Sequence, residues 1–382
     1  MPKSQDFKTR CVHEGELKDT QHKGAISPLY MASSYAFEDV EIGQYPRYFN
    51  TPNQRGLAKK IASLEGAESG LIFGSGMAAI STALLSHLQA GDHVVFQDDL
   101  YGGTRNFLRH EFSKYGIAYS FAKGLEMTHF EAEIKPETKG IYIETPSNPL
   151  LKIVDLKGIA TVARKHNLWT MIDNTFASPV NQNPIQYGID VVIHSATKYL
   201  GGHSDICAGA VVSSQSHMDT VFQTAKNLGG SLSDYTVWLL ERSVKTLFLR
   251  VQAQNRNAME MALFLESQDW VEKVYYPGLE NHPGHALAKQ QMSGFGGMLS
   301  FVLDKGIDTS RFFNALQLVK PTMSLAGIET TALSPRLTSH ALLTEEERLA
   351  QGITPQLVRF STGIEATEDL QKDLIQAVNQ AR

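Results

Sequence analysis

The chain has 382 residues, more than one ordinary domain holds, so two or three domains and a large core are expected. Hydrophobic residues make up 42% and charged residues 20%, ordinary values for a globular protein, and the net charge of −5 gives no reason to expect nucleic acid or a lipid surface as partner. Cys11 and Cys207 lie too far apart in sequence for a disulfide framework or a metal motif, which points to a metal-free protein of the reducing cytoplasm. The opening MPKSQDFKTR lacks the apolar core of a signal peptide, and no run approaches the roughly eighteen apolar residues of a membrane span.

Residues 1–56 show no sustained period and are rich in Gly, Pro, Tyr and Ser, so they read as an extended arm. The aromatic content of YMASSYAFEDV and QYPRYFN argues against disorder and for docking on a partner. From Gly56 to Leu88 two helical patterns flank a glycine loop, with Leu57, Ile61 and Leu64 on the first. The second begins at Gly74-Ser75-Gly76-Met77, where the first helical turn leaves the N–H groups of Gly76 and Met77 free. His93 to Phe96 reads as a strand leading to Tyr101, a residue type that after a strand is often only a core aromatic. Further strands are expected at Ile141–Ile143, ending in Glu144-Thr145-Pro146-Ser147-Asn148-Pro149, and at Leu168–Ile172, ending in Asp173. The run Ile189–Ile193 reads as a strand buried on both faces that delivers His194, Ser195, Thr197 and Lys198 before the turn at Gly201-Gly202. This alternation predicts βαβ units, and no G-x-G-x-x-G follows a strand to support a dinucleotide site. Ala208–Ser213 is a further strand, and Ser233–Glu266, free of Pro and Gly, is a helical link to a last domain. There GGMLSFVL is strand-like, RFFNALQLV helical, SLAGIET a loop, and an amphipathic helix follows Glu368. The division is then an arm over 1–56, a cofactor domain over 57–245 and a C-terminal domain over 246–382.

Open α/β sheets hold ligands beyond the carboxyl ends of their strands. There this chain brings a lysine, Lys198, an acid, Asp173, and a glycine loop at a helix N-terminus. An amine for an aldehyde, an acid for a pyridine nitrogen and a cradle for a phosphate together suit pyridoxal 5'-phosphate. Lys198 must be unprotonated for that chemistry, which burial favours. Asp173 in Asp-Asn-Thr also suits a helix N-cap. Arg359, inside the apolar run LVRFSTGIE, needs a carboxylate: either an amino-acid substrate, held by a bidentate fork, or Glu365 or Glu329 in a structural ion pair.

The segments SGMAA, DDLYGGT, IETPSNP, IDNTFASP, SATKYLGGHSD, GGMLSF and VRFSTGIE, in this order along nearly the whole chain, resemble the Cys/Met metabolism PLP-dependent enzymes. That group comprises cystathionine γ-synthase, cystathionine γ- and β-lyase, and methionine γ-lyase. The resemblance implies an α/β fold of the aspartate aminotransferase-like PLP-dependent transferases, fold type I. Its parts are an N-terminal arm, a mostly parallel central sheet and a smaller C-terminal α+β domain. It implies a homotetramer, a dimer of catalytic dimers, in which Tyr45 and Arg47 of the arm bind the cofactor phosphate of the neighbouring subunit. It also implies that Tyr101 stacks on the cofactor ring, that Asn148 bonds the ring hydroxyl, and that Ser195 and Thr197 join Gly76 and Met77 around the phosphate. Arg359 would take the substrate carboxylate with help from Ser324, and Glu329 matches a glutamate associated with γ-chemistry, although a surface acid in a loop reads the same way. Tyr101 or Tyr45 would serve as general acid or base.

The departures bear on substrate. Where the family reads Y-S-R-x-G-N-P-T, this chain has Tyr45-Pro46-Arg47-Tyr48-Phe49-Asn50-Thr51-Pro52, which puts the aromatics Tyr48 and Phe49 toward the site. An arginine usual five residues after the stacking Tyr is Asn106 here, with Arg105 one earlier, and Gly103 stands where methionine γ-lyases usually have Cys. The expected activity is that of a C–S lyase of trans-sulfuration, a cystathionine γ- or β-lyase. A γ-replacement enzyme such as cystathionine γ-synthase, or a methionine γ-lyase, is the alternative. From another class comes a catalytically silent binding protein, against which the intact Lys198, Asp173 and Arg359 argue.

Overall fold

The computed structural model describes residues 5–341 and 344–382. The arm is not wholly irregular. It opens with α1 (Phe7–His13), capped by the Asp6 side chain, which accepts from the Lys8 N–H. Its last residues already belong to α2 (Pro52–Glu65), where Thr51 and Gln54 form a capping box and Pro52 occupies the first turn. Buried Lys60 of α2 donates to the carbonyls of Cys11 (3.1 Å) and Val12 (2.9 Å), which anchors α1 by its C-terminal end. Between these helices the arm is irregular apart from a short 3-10 helix at Pro46–Tyr48, and it leaves Met31, Phe37 and Ile42 exposed by 63%, 85% and 56%.

Seven strands form the main sheet: β1 (Ser69–Phe73), β2 (His93–Gln97), β3 (Ala118–Ala122), β4 (Thr138–Glu144), β5 (Trp169–Asp173), β6 (Val191–His194) and β7 (Gly209–Ser213). Their order is β1-β7-β6-β5-β4-β2-β3, parallel from β6 through β3 and antiparallel on both sides of β7. Two core clusters cover the faces, so successive residues such as Val191, Val192 and Ile193 are all buried. Burying each such side chain contributes about 1.5–3 kcal/mol, which is why these strands read as unbroken apolar runs. The register aligns Asp173 with Glu144 and with Ile193, while Phe73 faces Gly209 across β7. The ends of β1, β4, β5 and β6 therefore open on one edge. There α3 (Gly76–Ser86) and α4 (Gly102–Glu111) begin.

The long helical link is two helices, Asp234–Val244 and Leu247–Glu266, broken at Lys245-Thr246. Beyond it lies an antiparallel sheet of β8 (Val271–Tyr275), β9 (Met298–Leu303), β10 (Thr331–Leu333) and β11 (Leu357–Ser361), ordered β10-β11-β9-β8 with its own core cluster. The helix expected from RFFNALQLV stops at Ala315, and the chain closes on the helix Thr367–Ala381. Among the described residues no helix is long and apolar enough to cross a membrane, and no cluster of His, Cys, Asp and Glu could hold a metal ion.

Candidate active site

Lys198 follows β6 on a tight turn in which its carbonyl accepts from the Gly202 N–H (2.7 Å) and its own N–H donates to the Ser195 carbonyl (3.1 Å). The residue is half-buried, and its Nζ donates to Ser324 Oγ at 2.8 Å. Burial, and then the nearby Arg359 guanidinium, lower its pKa to about 8, so roughly a tenth of the amine is neutral at pH 7, far more than for an ordinary lysine. Ser324 holds a left-handed backbone, φ 79°, unusual for a residue other than glycine. That turn aims its hydroxyl at the lysine and its carbonyl at Arg359, whose Nη2 donates to it at 2.9 Å.

Arg359 is buried on β11, and its second nitrogen, Nη1, donates to Asn148 Oδ1 at 3.2 Å. Among the described residues it makes no ion pair. Glu365 instead accepts from the N–H (2.6 Å) and hydroxyl (2.8 Å) of Thr330, and Glu329 pairs with Lys320 at 3.6 Å and approaches Ser204 at 3.4 Å, six residues past the lysine. The two structural partners considered for the arginine are thus occupied elsewhere.

Asp173 ends β5, buried, with Oδ1 accepting from the Thr175 N–H at 3.0 Å. It caps no helix, since the next one begins at Ser178 behind Ala177. Burial raises its pKa against the hydrogen bonds from Thr175 and the charges of His194 and Lys198, and among the described residues no cation lies within ion-pair distance. Beside it Glu144 is pushed well above the usual carboxylate range, by burial first and then by Asp173. Glu144, a member of IETPSNP to which the sequence assigns no role, accepts from the backbone N–H groups of Tyr101 (2.7 Å) and Asn148 (3.1 Å), two residues expected to flank the cofactor. No spacing rule in sequence marks such a contact.

At the glycine loop, Ser75 caps α3 by accepting from the Ala78 N–H at 3.0 Å. The N–H groups of Gly76 and Met77 have no acceptor among the described residues. A Cβ on Gly76 would lie 2.8 Å from Ser195 Cβ, so only glycine lets the Ser195 hydroxyl come up to this helix end. The Thr197 hydroxyl exchanges bonds with the backbone of Ala208 (3.2 and 3.0 Å). Tyr101, just before α4, is 41% exposed, and burial of its hydroxyl end followed by the charge of Glu144 raises its pKa. Its ring packs over Gly103, where a Cβ would come within 2.4 Å of Tyr101 Cε1.

Other expected members of the site lie elsewhere. His194 is buried and bonds Glu65 at 2.6 Å instead of reaching the edge. Phe49 does not face the site: it is buried at φ 55° and packs on Phe73 with ring centroids 5.1 Å apart. Tyr48 stays at the surface with Arg47 5.0 Å over its ring. Tyr45 and Arg47, expected to serve the neighbouring subunit's site, lie on the arm, where Tyr45 is 43% exposed and Arg47 donates to the Lys226 carbonyl. Arg105 is taken by Asp98 (2.9 Å) and covers the Phe121 ring at 4.2 Å, while Asn106 is exposed.

The donor set fits pyridoxal 5'-phosphate: a partly neutral lysine, a buried acid without a cation, and free N–H groups where glycine keeps space beside Ser195. The family model for Cys/Met metabolism PLP-dependent enzymes matches residues 8–379. The chain is 42% identical over 380 residues to a cystathionine beta-lyase of Lactococcus lactis subsp. cremoris, covering 98% of this chain and 99% of that one. It is 42% identical to a cystathionine gamma-lyase of Bacillus subtilis (97% and 98% covered) and 41% identical to an L-methionine gamma-lyase of Pseudomonas putida (97% of each). A crystal structure of cystathionine gamma-lyase from Lactobacillus plantarum complexed with L-serine superposes with a TM-score of 0.95 at 38% identity over 99% of both chains. With the match running from one end of the chain to the other, the protein belongs to the Cys/Met metabolism PLP-dependent enzyme family and is a PLP-dependent carbon–sulfur lyase.

Proposed function

We propose that this enzyme cleaves a C–S bond of cystathionine, with Lys198 as its cofactor-linked base and Arg359 as the clamp for the substrate α-carboxylate. The observation that carries this is Arg359, a buried guanidinium with no carboxylate of its own, joined to Lys198 through Ser324. Bound pyridoxal 5'-phosphate supplies an aldehyde and an electron-withdrawing ring. The chain supplies the rest. Asp173 keeps the ring nitrogen protonated, Asn148 bonds the ring hydroxyl, and Tyr101 covers the ring face. Gly76, Met77, Ser195 and Thr197 take the phosphate. The freed Nζ of Lys198 removes the Cα proton and returns protons along the substrate chain, and Ser324 holds that nitrogen beside the carboxylate end. Tyr101, its phenol proton held more tightly than usual, donates to the departing sulfur. Glu329, at the rim beside Ser204, addresses the γ end of the substrate. Gly103 under the Tyr101 ring favours the cystathionine enzymes over methionine γ-lyase, since a cysteine there would displace the ring. A free, exposed Cys207 suits a reducing cytoplasm.

Incubation with cystathionine, methionine and O-acyl homoserines, with the keto acids separated, tests the assignment. Release of α-ketobutyrate and cysteine marks γ-cleavage, and release of pyruvate and homocysteine marks β-cleavage. Consumption only of O-acyl homoserine together with cysteine would replace the lyase reading with γ-replacement.

The site is proposed to be shared between chains of a homotetramer built from catalytic dimers. Support comes from the arm, whose exposed Met31, Phe37 and Ile42 call for a covering surface and which carries an exposed Tyr45 and an Arg47 bonded to the Lys226 carbonyl and to no residue of the chain's own site. Arg47→Ala and Lys198→Ala chains, each inactive alone, should regain about a quarter of wild-type activity when refolded together, because half the dimers then hold one intact site. No recovery despite subunit exchange would place Arg47 outside the neighbour's site.

A further inference from the structure

We propose that the helix Leu247–Glu266 is the alignment bar of the active site. Its buried polar residues Arg250, Gln254 and Asn257 hold the backbones of the three segments that carry Lys198, Ser324 and Arg359. This rests on the roles of Lys198 and Arg359 given above. The helix runs between the two sheets, and most of its buried positions, among them Leu247, Val251, Ala258 and Met261, are apolar as expected. On the same side, at spacings of four and three residues, sit Arg250, Gln254 and Asn257, only 5%, 0% and 4% exposed. Polar side chains in such places are costly unless bonded. Each is bonded to main-chain carbonyls of another segment.

Arg250 makes no ion pair among the described residues. Its Nη1 donates to the carbonyl of Tyr199, the residue after Lys198, at 2.8 Å, and its Nη2 to the Ser243 carbonyl at 3.0 Å. It also fills the space beside Gly202, φ 68°, where a Cβ would lie 1.8 Å from Nη1, so arginine and turn are shaped to one another. One turn later, Gln254 Nε2 donates at 2.8 Å to the carbonyl of Gly327, in the loop whose Ser324 touches both Lys198 and Arg359. Its Oε1 is buried with no partner among the described residues, so the amide is held in place by this donor contact. Asn257 Nδ2 donates to the carbonyls of Glu365 (2.8 Å) and Gly363 (3.2 Å), just past the end of β11. None of these three groups bonds Lys198, Ser324 or Arg359 side chains directly. They are positioning residues, and what they set is the separation between the amine and the carboxylate clamp, across the junction of the two sheets.

The test uses the holoenzyme and reads binding by titrating the cofactor absorbance band. L-alanine carries the carboxylate, and ethylamine lacks it. Gln254→Met keeps the volume and removes the donor. It should bind L-alanine about five- to tenfold more weakly, the worth of one such hydrogen bond, with ethylamine binding, cofactor content and band position as in wild type. Asn257→Leu, which frees the other segment, should behave in the same way and serves as the second variant should Gln254→Met fail to fold. Equal weakening of both ligands, or unchanged binding alongside a lowered melting temperature, would make the polar face a purely structural feature and overturn the proposal. Because the titration reads binding and not turnover, a wild-type enzyme that binds L-alanine but releases no keto acid from cystathionine would sink the lyase assignment and leave this test standing.

Discussion

A Lys198→Ala enzyme is expected to lose turnover on cystathionine altogether, together with the absorbance near 420 nm that a lysine-linked cofactor aldehyde gives. Loss of proton transfer alone should cost roughly 10²–10⁴-fold, and loss of the covalent link adds to it. The residue is suited to both tasks by its surroundings. Burial and the Arg359 charge hold its pKa down to about 8, and Ser324 Oγ fixes the direction of its Nζ at 2.8 Å. A surface lysine with an ordinary pKa would offer neither. Full activity in Lys198→Ala, read by keto-acid release, would remove the base from the mechanism.

Arg359→Ala should lower kcat/KM by roughly 30- to 700-fold, the equivalent of about 2–4 kcal/mol for one charge-assisted carboxylate contact. The loss should fall mainly on the substrate requirement, with cofactor content unchanged. The arginine already spends one donor on the Ser324 carbonyl and one on Asn148, so removing it also loosens the loop that orients Lys198, and some fall in kcat is expected too. Arg359→Lys should recover only part of the loss, because an ammonium has no planar fork. An unchanged kcat/KM in Arg359→Ala, measured with saturating cofactor, would assign the residue to structure alone.

The inner strands of the main sheet were legible because each is a short apolar run that ends in polar residues, whereas the edge strand β3 is only partly buried and shows no such run. Val191–Ile193 before Ser195 and Lys198, and Met171–Ile172 before Asp173, are the best cases. The placement of the lysine, the acid and the glycine loop at one edge follows from parallel strands, which sequence alternation predicts. Local chemistry was also available at Thr51-Pro52-Gln54, a capping box with proline in the first turn, which marks the start of α2 within the stretch read as arm. What could not be read is partnership across the fold. Phe49 looks like a site aromatic until Phe73 is seen beside it, and His194 looks like a neighbour of Lys198 until Glu65 claims it. Glu144 bonds two backbone N–H groups, and nothing in its spacing signals that. Arg250, Gln254 and Asn257 carry a faint signal, polar residues at helical spacing among apolar ones, but whether such a face meets water or main-chain carbonyls depends on the second sheet.

The most direct measurement is to reduce the holoenzyme with borohydride, digest it, and locate by mass spectrometry the lysine that carries the cofactor. The expected result is a single modified peptide, the one containing Lys198. Lys60 is the informative competitor, since it too is buried with a lowered pKa, but its Nζ is committed to the carbonyls of Cys11 and Val12. Cofactor found on Lys60 or on any lysine other than Lys198 would contradict the site described here and the mechanism built on it.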